Sequence, residues 1–500
     1  MQALKEENNY TFTENGALTH KSTLNGLLDL FSLGAAYRTR SDADCIYLFK
    51  KAFEENETYA LKCLFYLRDI RGGQGERRFF RVIIKWLANN HMEAIRRNLE
   101  HIVTYGRWDD LYEFIGTKLE EDAFELMRKQ LMLDVQCKAP SLLAKWLKSE
   151  NTSSPKSCDL ANKTRKAFRM THREYRKTLS LLRERIKVLE RLMSENRWDE
   201  IEFDKIPSKA GLVYRNAFAR RDMIKAKYEK FAKSETTKVN AGALYPYEVV
   251  AKAFNITRSS YGFYGSRPVD VPLDNTERLM INKYWDNLTD YFNGASLDAL
   301  CMIDTSGSMW GREGSAPINV AIALGLYAAE RARGPFAGHY ISFSSRPQLI
   351  ETSGVDFVDK VKRIYSTNLC ENTNIEAAFD MVLKTALRTH CSQADLPKSI
   401  VVISDMEFDY ARGRGYGAYS DTRTLMENIE RKWEDAGYKM PNLVYWNVQA
   451  RQDNIPMTVK DGVSFVSGFS PVIFEQIMKG KTAIDLMLDK LDSERYACIG

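Results

Sequence analysis

Histidine is scarce in this chain, with six in 500 residues, and cysteine is thinly spread. The eight cysteines, Cys45, Cys63, Cys137, Cys158, Cys301, Cys370, Cys391 and Cys498, include no C-x-x-C pair. That spacing speaks against a zinc site and against a disulfide framework, and points to a reducing, cytoplasmic compartment. No apolar run approaches the roughly 20 residues a membrane-spanning helix needs. The first residues, Lys5-Glu6-Glu7-Asn8-Asn9, are polar and acidic, so neither secretion nor membrane insertion is expected. The glycine-rich stretch 68–78 lacks the Lys-Ser/Thr ending of a P-loop.

What is present describes an ordinary globular chain. Hydrophobic residues make up 44% and charged residues 28%, and the length allows two or more domains with substantial cores. The net charge of +6 is unevenly placed. Arg165, Lys166, Arg169, Arg173, Arg176, Lys177, Arg183, Arg185, Lys187 and Arg191 crowd one segment, and the bias continues through Arg215, Arg220 and Arg221. Such a cluster attracts phosphates more strongly than the mean charge implies, although a charged helix face is also an ordinary solvated one.

From Thr23 to about Ser149 apolar residues recur at helical spacing: Leu24, Leu27, Leu28 and Phe31, then Ile46, Phe49 and Phe53, then Leu61, Leu64 and Phe65. Residues 1–22 read as an extended or irregular N-terminal extension. Between two predicted helices lies Arg68-Asp69-Ile70-Arg71-Gly72-Gly73-Gln74-Gly75-Glu76-Arg77-Arg78. Its glycines can expose N–H groups in a nest, with Arg71, Arg77 and Arg78 around a phosphate; a tight interhelix turn explains the same residues. Arg107-Trp108-Asp109-Asp110 recurs as Arg197-Trp198-Asp199-Glu200, about two HEAT-like units later. The pattern over 179–193 predicts one long helix that buries Leu179, Leu182, Ile186, Leu189 and Met193. Gly and Pro between 258 and 275 mark a linker.

The most informative stretch is Ala299-Leu300-Cys301-Met302-Ile303-Asp304-Thr305-Ser306-Gly307-Ser308. Its apolar run predicts a buried parallel strand, and its turn presents a carboxylate and two hydroxyls on alternate residues. These are hard oxygen ligands suited to Mg²⁺, Mn²⁺ or Ca²⁺. Thr373 offers a third hydroxyl where a helical pattern opens, and Asp405 ends a second buried strand, Ile400–Ser404. In a doubly wound sheet the carboxyl ends of strands meet at the switch point, so Asp304, Ser306, Ser308, Thr373 and Asp405 are the candidate metal ligands. Order and spacing resemble the von Willebrand factor A (vWA) family, whose metal-ion-dependent adhesion site (MIDAS) reads D-x-S-x-S, then T, then D. A departure is Met406, where adhesive members often have Gly.

Phrases such as residues 66–77, Trp198-Asp199-Glu200-Ile201 and Asn240-Ala241-Gly242-Ala243-Leu244-Tyr245-Pro246 resemble a poorly characterised family related to the Ro (TROVE) ribonucleoproteins. That resemblance implies a HEAT-repeat helical array that binds small RNAs, joined to a vWA domain. The expected fold is therefore multidomain: an extension over 1–22, a helical HEAT-like array over 23–257, a linker over 258–275, and an α/β Rossmann-like vWA domain over 276–500. Candidate RNA contacts are Arg71, Arg77, Arg78, Arg169, Arg173, Arg176, Lys177 and Arg183. To these are added Arg412 and Arg414, in an Arg/Tyr-rich insertion that follows Asp405 and serves equally as a plain connector.

Catalysis is not expected. Position 306 is Ser, so no D-x-D phosphotransferase turn exists, and Glu407 and Asp409 are the available extra acids. The expected partners are RNA, held by the basic helices, and a protein whose carboxylate completes the metal shell; the family resemblance suggests the latter. A protein-only adaptor, such as a partner of AAA+ ATPases, is the alternative, and a metal-dependent hydrolase the third reading.

Overall fold

The computed structural model describes residues 8–253, 273–292, 297–309, 317–331, 336–343, 346–367, 374–408, 425–452, 454–456, 463–477 and 482–500. The N-terminal part is predominantly helical, and a six-stranded mixed sheet with helices on both faces forms the C-terminal part. Strands β1 (Tyr10–Phe12) and β2 (Leu18–His20) form a separate antiparallel hairpin where the sequence suggests an extended or irregular segment. The large sheet contains β3 (Ala299–Asp304), β4 (His339–Phe343), β5 (Leu349–Glu351), β6 (Ser399–Ser404), β7 (Asn442–Asn447) and β8 (Val463–Ser467), in the order β5-β4-β3-β6-β7-β8. All neighbours are parallel except the edge pair β4–β5.

The strand runs are apolar throughout because both faces of the sheet are covered. Alternation sends Leu300 and Met302 into one hydrophobic core and Ala299, Cys301 and Ile303 into the other. Helices Ile375–Thr389, Leu425–Asp435 and Ala483–Leu491 contribute to the first core, Pro317–Arg331 and Phe357–Thr367 to the second. Gly325 lets the Pro317–Arg331 helix lie directly on β3, since a Cβ there would overlap the Ile303 side chain.

The helical part divides between the same two cores. Apolar residues from Ala17 to Leu182 belong to the Leu300 and Met302 core, and those from Leu189 to Ala253 to the core of Cys301 and Ile303. Local capping sets the helix starts. Ser41 and Asp44 form a capping box ahead of Asp42–Glu55, and Thr171 and Glu174 another ahead of His172–Arg185. The long helix expected over 179–193 is interrupted: Lys187 adopts φ +49°, and a short helix restarts at Leu189. A single periodic stripe cannot reveal such a break, because both segments keep their apolar residues inward.

The two Arg-Trp-acid copies both open 3₁₀ turns, with different partners. Asp110 is fully buried and accepts from Arg68 Nη2 at 2.7 Å, Arg81 Nε at 2.7 Å and the Arg107 amide at 3.0 Å. Arg197 instead pairs with Glu195 and Glu200 at the surface, while Trp198 is buried beneath Arg221. The first copy is a charge knot inside the core; the second is a rim feature.

Candidate metal centre at the carboxyl edge of the sheet

Strand β3 pairs with β6 through Ile303 and Ile403, which sets Asp304 beside Ser404 at the point where the chain, having gone to β4 and β5, returns to the other side. Asp304 is fully buried. Its Oδ1 accepts the Ser306 amide at 2.9 Å and its Oδ2 the Ser404 hydroxyl at 2.5 Å. The Ser306 and Ser308 hydroxyls lie 2.9 Å apart. Asp405, also buried, accepts the Glu407 amide through Oδ1 at 3.3 Å; among the described residues its Oδ2 has no hydrogen bond and meets the Arg451 guanidinium Nε at 3.4 Å. Thr373 lies outside the described residues.

Two carboxylates taken out of water this close together are costly when both are charged. Burial, with Asp405 adding to it, pushes Asp304 up to about 7. Burial also raises Asp405, against the pull of Arg451. Glu407 is pushed up to about 7, again chiefly by burial. A divalent cation would offset these penalties directly. The donor set, two carboxylates and two hydroxyls with one buried carboxylate oxygen met only by the Arg451 guanidinium among the described residues, fits a hard cation of the Mg²⁺ class. Among the described residues no cluster of three His, Cys, Asp or Glu forms an alternative metal site.

Met406 gives the loop after Asp405 an informative backbone. Its φ is +65°, the left-handed region that favours glycine, and its side chain is buried. The turn therefore keeps a glycine-type shape while holding a Met, at a cost of about 1–2 kcal/mol that burial of the side chain offsets. Arg451 and Ser404 carry much of the local geometry and were not singled out from the sequence. Ser404 immediately precedes the second acid, a signal that was available; nothing in the sequence around Arg451 marks it.

The candidate RNA contacts separate into three groups. Arg169, Arg173, Arg176 and Lys177 are exposed around the Thr171 cap, and none makes a side-chain hydrogen bond or ion pair among the described residues. Arg71 and Arg77 are also exposed. Arg183 is a correction: its guanidinium donates to the carbonyls of Ala144 and Leu147 and the hydroxyl of Ser149, each at 2.8 Å, so it holds the 143–149 turn. Arg78 is paired with Asp42 at 2.5 Å. Arg412 and Arg414 lie outside the described residues, as does Asp409.

The glycine loop is likewise committed. The amides of Gln74, Gly75 and Glu76 bond the carbonyls of Tyr66, Asp69 and Leu67, and the Arg71 amide donates to Asp69 Oδ1 at 2.9 Å. The anion held by this loop is its own Asp69 carboxylate, so the interhelix-turn reading stands and a phosphate nest does not.

The model described as "Domain of unknown function (DUF2828)" matches residues 13–153 and 140–294. The chain belongs to the DUF2828 family. In this DUF2828 member the sheet-bearing part, residues 298–495, matches a second model, "Domain of unknown function (DUF7788)". A relative, "Uncharacterized protein L728" of Acanthamoeba polyphaga mimivirus, is 28% identical over 95% of this chain and 85% of its own length. The solved RO (RSR) protein of Deinococcus radiodurans aligns with 95% of this chain and 100% of its own at 13% identity, with a TM-score of 0.38.

Proposed function

We propose that this DUF2828 protein is a binding scaffold: a vWA-like, MIDAS-type centre holds Mg²⁺ and recruits an acidic residue of a partner protein, while the basic helical part binds RNA. The observation that carries the reading is the convergence of Asp304, Ser306, Ser308 and Asp405 at one switch-point crevice. With hydroxyls filling part of the shell the ion keeps net positive character, and a partner's Glu or Asp can complete its coordination. Thr373 would add the third hydroxyl of the MIDAS pattern. Nothing in the reading requires turnover, and the protein acts without being an enzyme.

The RNA side is supported by the exposed Arg169, Arg173, Arg176 and Lys177, unpaired among the described residues, and by the sequence resemblance to Ro-related proteins. The test is capture of partners by the full chain with Mg²⁺ and with EDTA, sequencing both RNA and protein. Asp304→Ala is expected to abolish the Mg²⁺-dependent protein fraction and spare the RNA fraction. Unchanged protein capture in EDTA would overturn the adhesive reading, and absence of any RNA shift at low salt would leave a protein-only adaptor.

A further inference from the structure

The β1–β2 hairpin is held against the candidate centre by bonds from both sides of its turn. The Glu14 amide donates to Glu407 Oε2 at 2.6 Å, Asn15 Nδ2 to the Glu407 carbonyl at 2.6 Å, and Thr13 Oγ1 to the Phe408 carbonyl at 2.7 Å. Strand β2 bridges Ile455, with the His20 amide donating to its carbonyl at 3.1 Å and the His20 carbonyl accepting its amide at 2.8 Å. Asn454 Nδ2 closes the arrangement on Glu407 Oε1 at 2.8 Å. The turn thus spans the loops that follow β6 and β7, and these two loops border the crevice holding Asp405.

Glu14 itself faces Arg451. Its Oε2 is 3.1 Å from Arg451 Nη1, while Arg451 Nε faces Asp405 Oδ2 and Nη2 donates to the Ser308 carbonyl. Arg40 Nη1 donates to the Arg451 carbonyl and fixes that residue's backbone. One guanidinium therefore links a fully buried candidate ligand to a partly exposed carboxylate whose side chain is 41% accessible. A planar guanidinium on a partly exposed side chain, whose Nη1 already meets one carboxylate, is suited to receive another in its place.

We propose that Arg451 is a second acid-recognition element of the candidate centre and that Glu14 occupies it in cis, so that an incoming acidic partner has to displace the 13–16 turn. This rests on the metal-centre reading above and specifies the partner chemistry: an acidic side chain presented from a tight turn, in competition with one the chain already carries. An occupied receptor lowers apparent affinity by the fraction of molecules in which the turn is lifted. The resident acid sets a threshold that a weakly presented carboxylate does not pass.

The test uses the full chain loaded with Mn²⁺ and glutarate as the carboxylate probe, read by paramagnetic broadening of the glutarate methylene protons. Hydrogen exchange of the hairpin amides is recorded in parallel. Glu14→Gln is expected to raise glutarate broadening by about fivefold or more over wild type at equal bound Mn²⁺. Glu14→Asp should stay near wild type, and adding Arg451→Gln to Glu14→Gln should remove the gain. Equal glutarate broadening in wild type and Glu14→Gln, with Mn²⁺ bound in both, overturns the proposal and leaves the hairpin as a structural clasp. Failure of wild type to bind Mn²⁺ any better than Asp304→Ala removes the centre itself, and the proposal falls with it; the Mn²⁺ measurement tells the two failures apart.

Discussion

Arg495 Nη2 lies 2.8 Å from Asp69 Oδ1, 426 residues away in the chain, and its Nε reaches the other carboxylate oxygen. The Tyr496 hydroxyl adds a third bond to Asp69 at 2.9 Å, and its ring stacks on Tyr105 with centroids 5.6 Å apart. Asn98 Nδ2 donates to the Gly500 carbonyl at 2.8 Å. The last residues of the chain are thereby fastened to the glycine loop of the helical part.

Asp69→Asn should therefore destabilise the whole protein. The carboxylate is fully buried while Arg495 is 38% exposed and can be solvated once released, so about 3 kcal/mol is expected, the low end for breaking a buried pair. Burial alone would raise the Asp69 pKa, but Arg495 and the Arg71 and Gly72 amides more than offset it and hold it below 3.8. A depressed carboxylate contributes stability above its unfolded value that is lost as pH falls through the folded one. Urea unfolding should show the wild-type advantage over Asp69→Asn in full at neutral pH and shrinking below pH 3.8.

Gly75 has φ +62°, and a Cβ there would overlap the Tyr245 hydroxyl, which is buried without a hydrogen-bond partner among the described residues. Gly75→Ala should lower the melting temperature through both effects. The double variant with Tyr245→Phe removes the hydroxyl overlap, leaves the ring carbons 3.0–3.2 Å from the new Cβ, and should recover part of the loss, with about 1 kcal/mol of the remainder due to a left-handed alanine. Failure of Tyr245→Phe to rescue would show that the clash is not the cause.

His20 is buried in the hairpin with neither ring nitrogen hydrogen-bonded among the described residues, its ring tilted against Tyr10 at 5.0 Å between centroids. Burial lowers its pKa from 6.5, against the opposing pull of Glu427. The neutral ring is the docked form, so hairpin stability is complete above pH 6.5 and declines as pH falls below that value. Exchange of the Lys21 amide, bonded to the Asn9 carbonyl, should accelerate on acidification beyond its intrinsic rate. His20→Phe should abolish that excess.

For RNA, Arg173→Glu with Arg176→Glu should weaken binding uniformly across sequences. The slope of log affinity against log salt should fall by about one per lost phosphate contact. The same double change should leave the unfolding midpoint nearly unaltered, because neither side chain has a partner among the described residues. An unchanged gel shift would remove this face from the RNA account.

Much of the sheet was legible because both its faces are buried. The apolar runs at 299–303 and 400–404 have few other uses, and the observed strands match them within a residue. Helix breaks such as Lys187 were not legible, because the apolar stripe continues across them. The glycine loop fits either an anion nest or an interhelix turn by its residues alone, and only the placement of its own Asp69 decides between them. Among the ligand candidates, the spacing of Asp304, Ser306 and Ser308 is local and visible, since two residues on a turn determine each other's reach.

By itself, then, the chain's order of residues determined the central strands, the helical character of the N-terminal part and which acids end the central strands, because these depend on neighbours a few positions away. Only the tertiary structure decided that the helical part is shared between the two faces of the sheet, and that Arg183 props a turn while Arg173 has no partner among the described residues. It also decided that Glu14 reaches Arg451 across the centre. Such pairings join positions hundreds of residues apart, and they are chosen by packing and by the need to satisfy each buried charge, a condition no local pattern encodes.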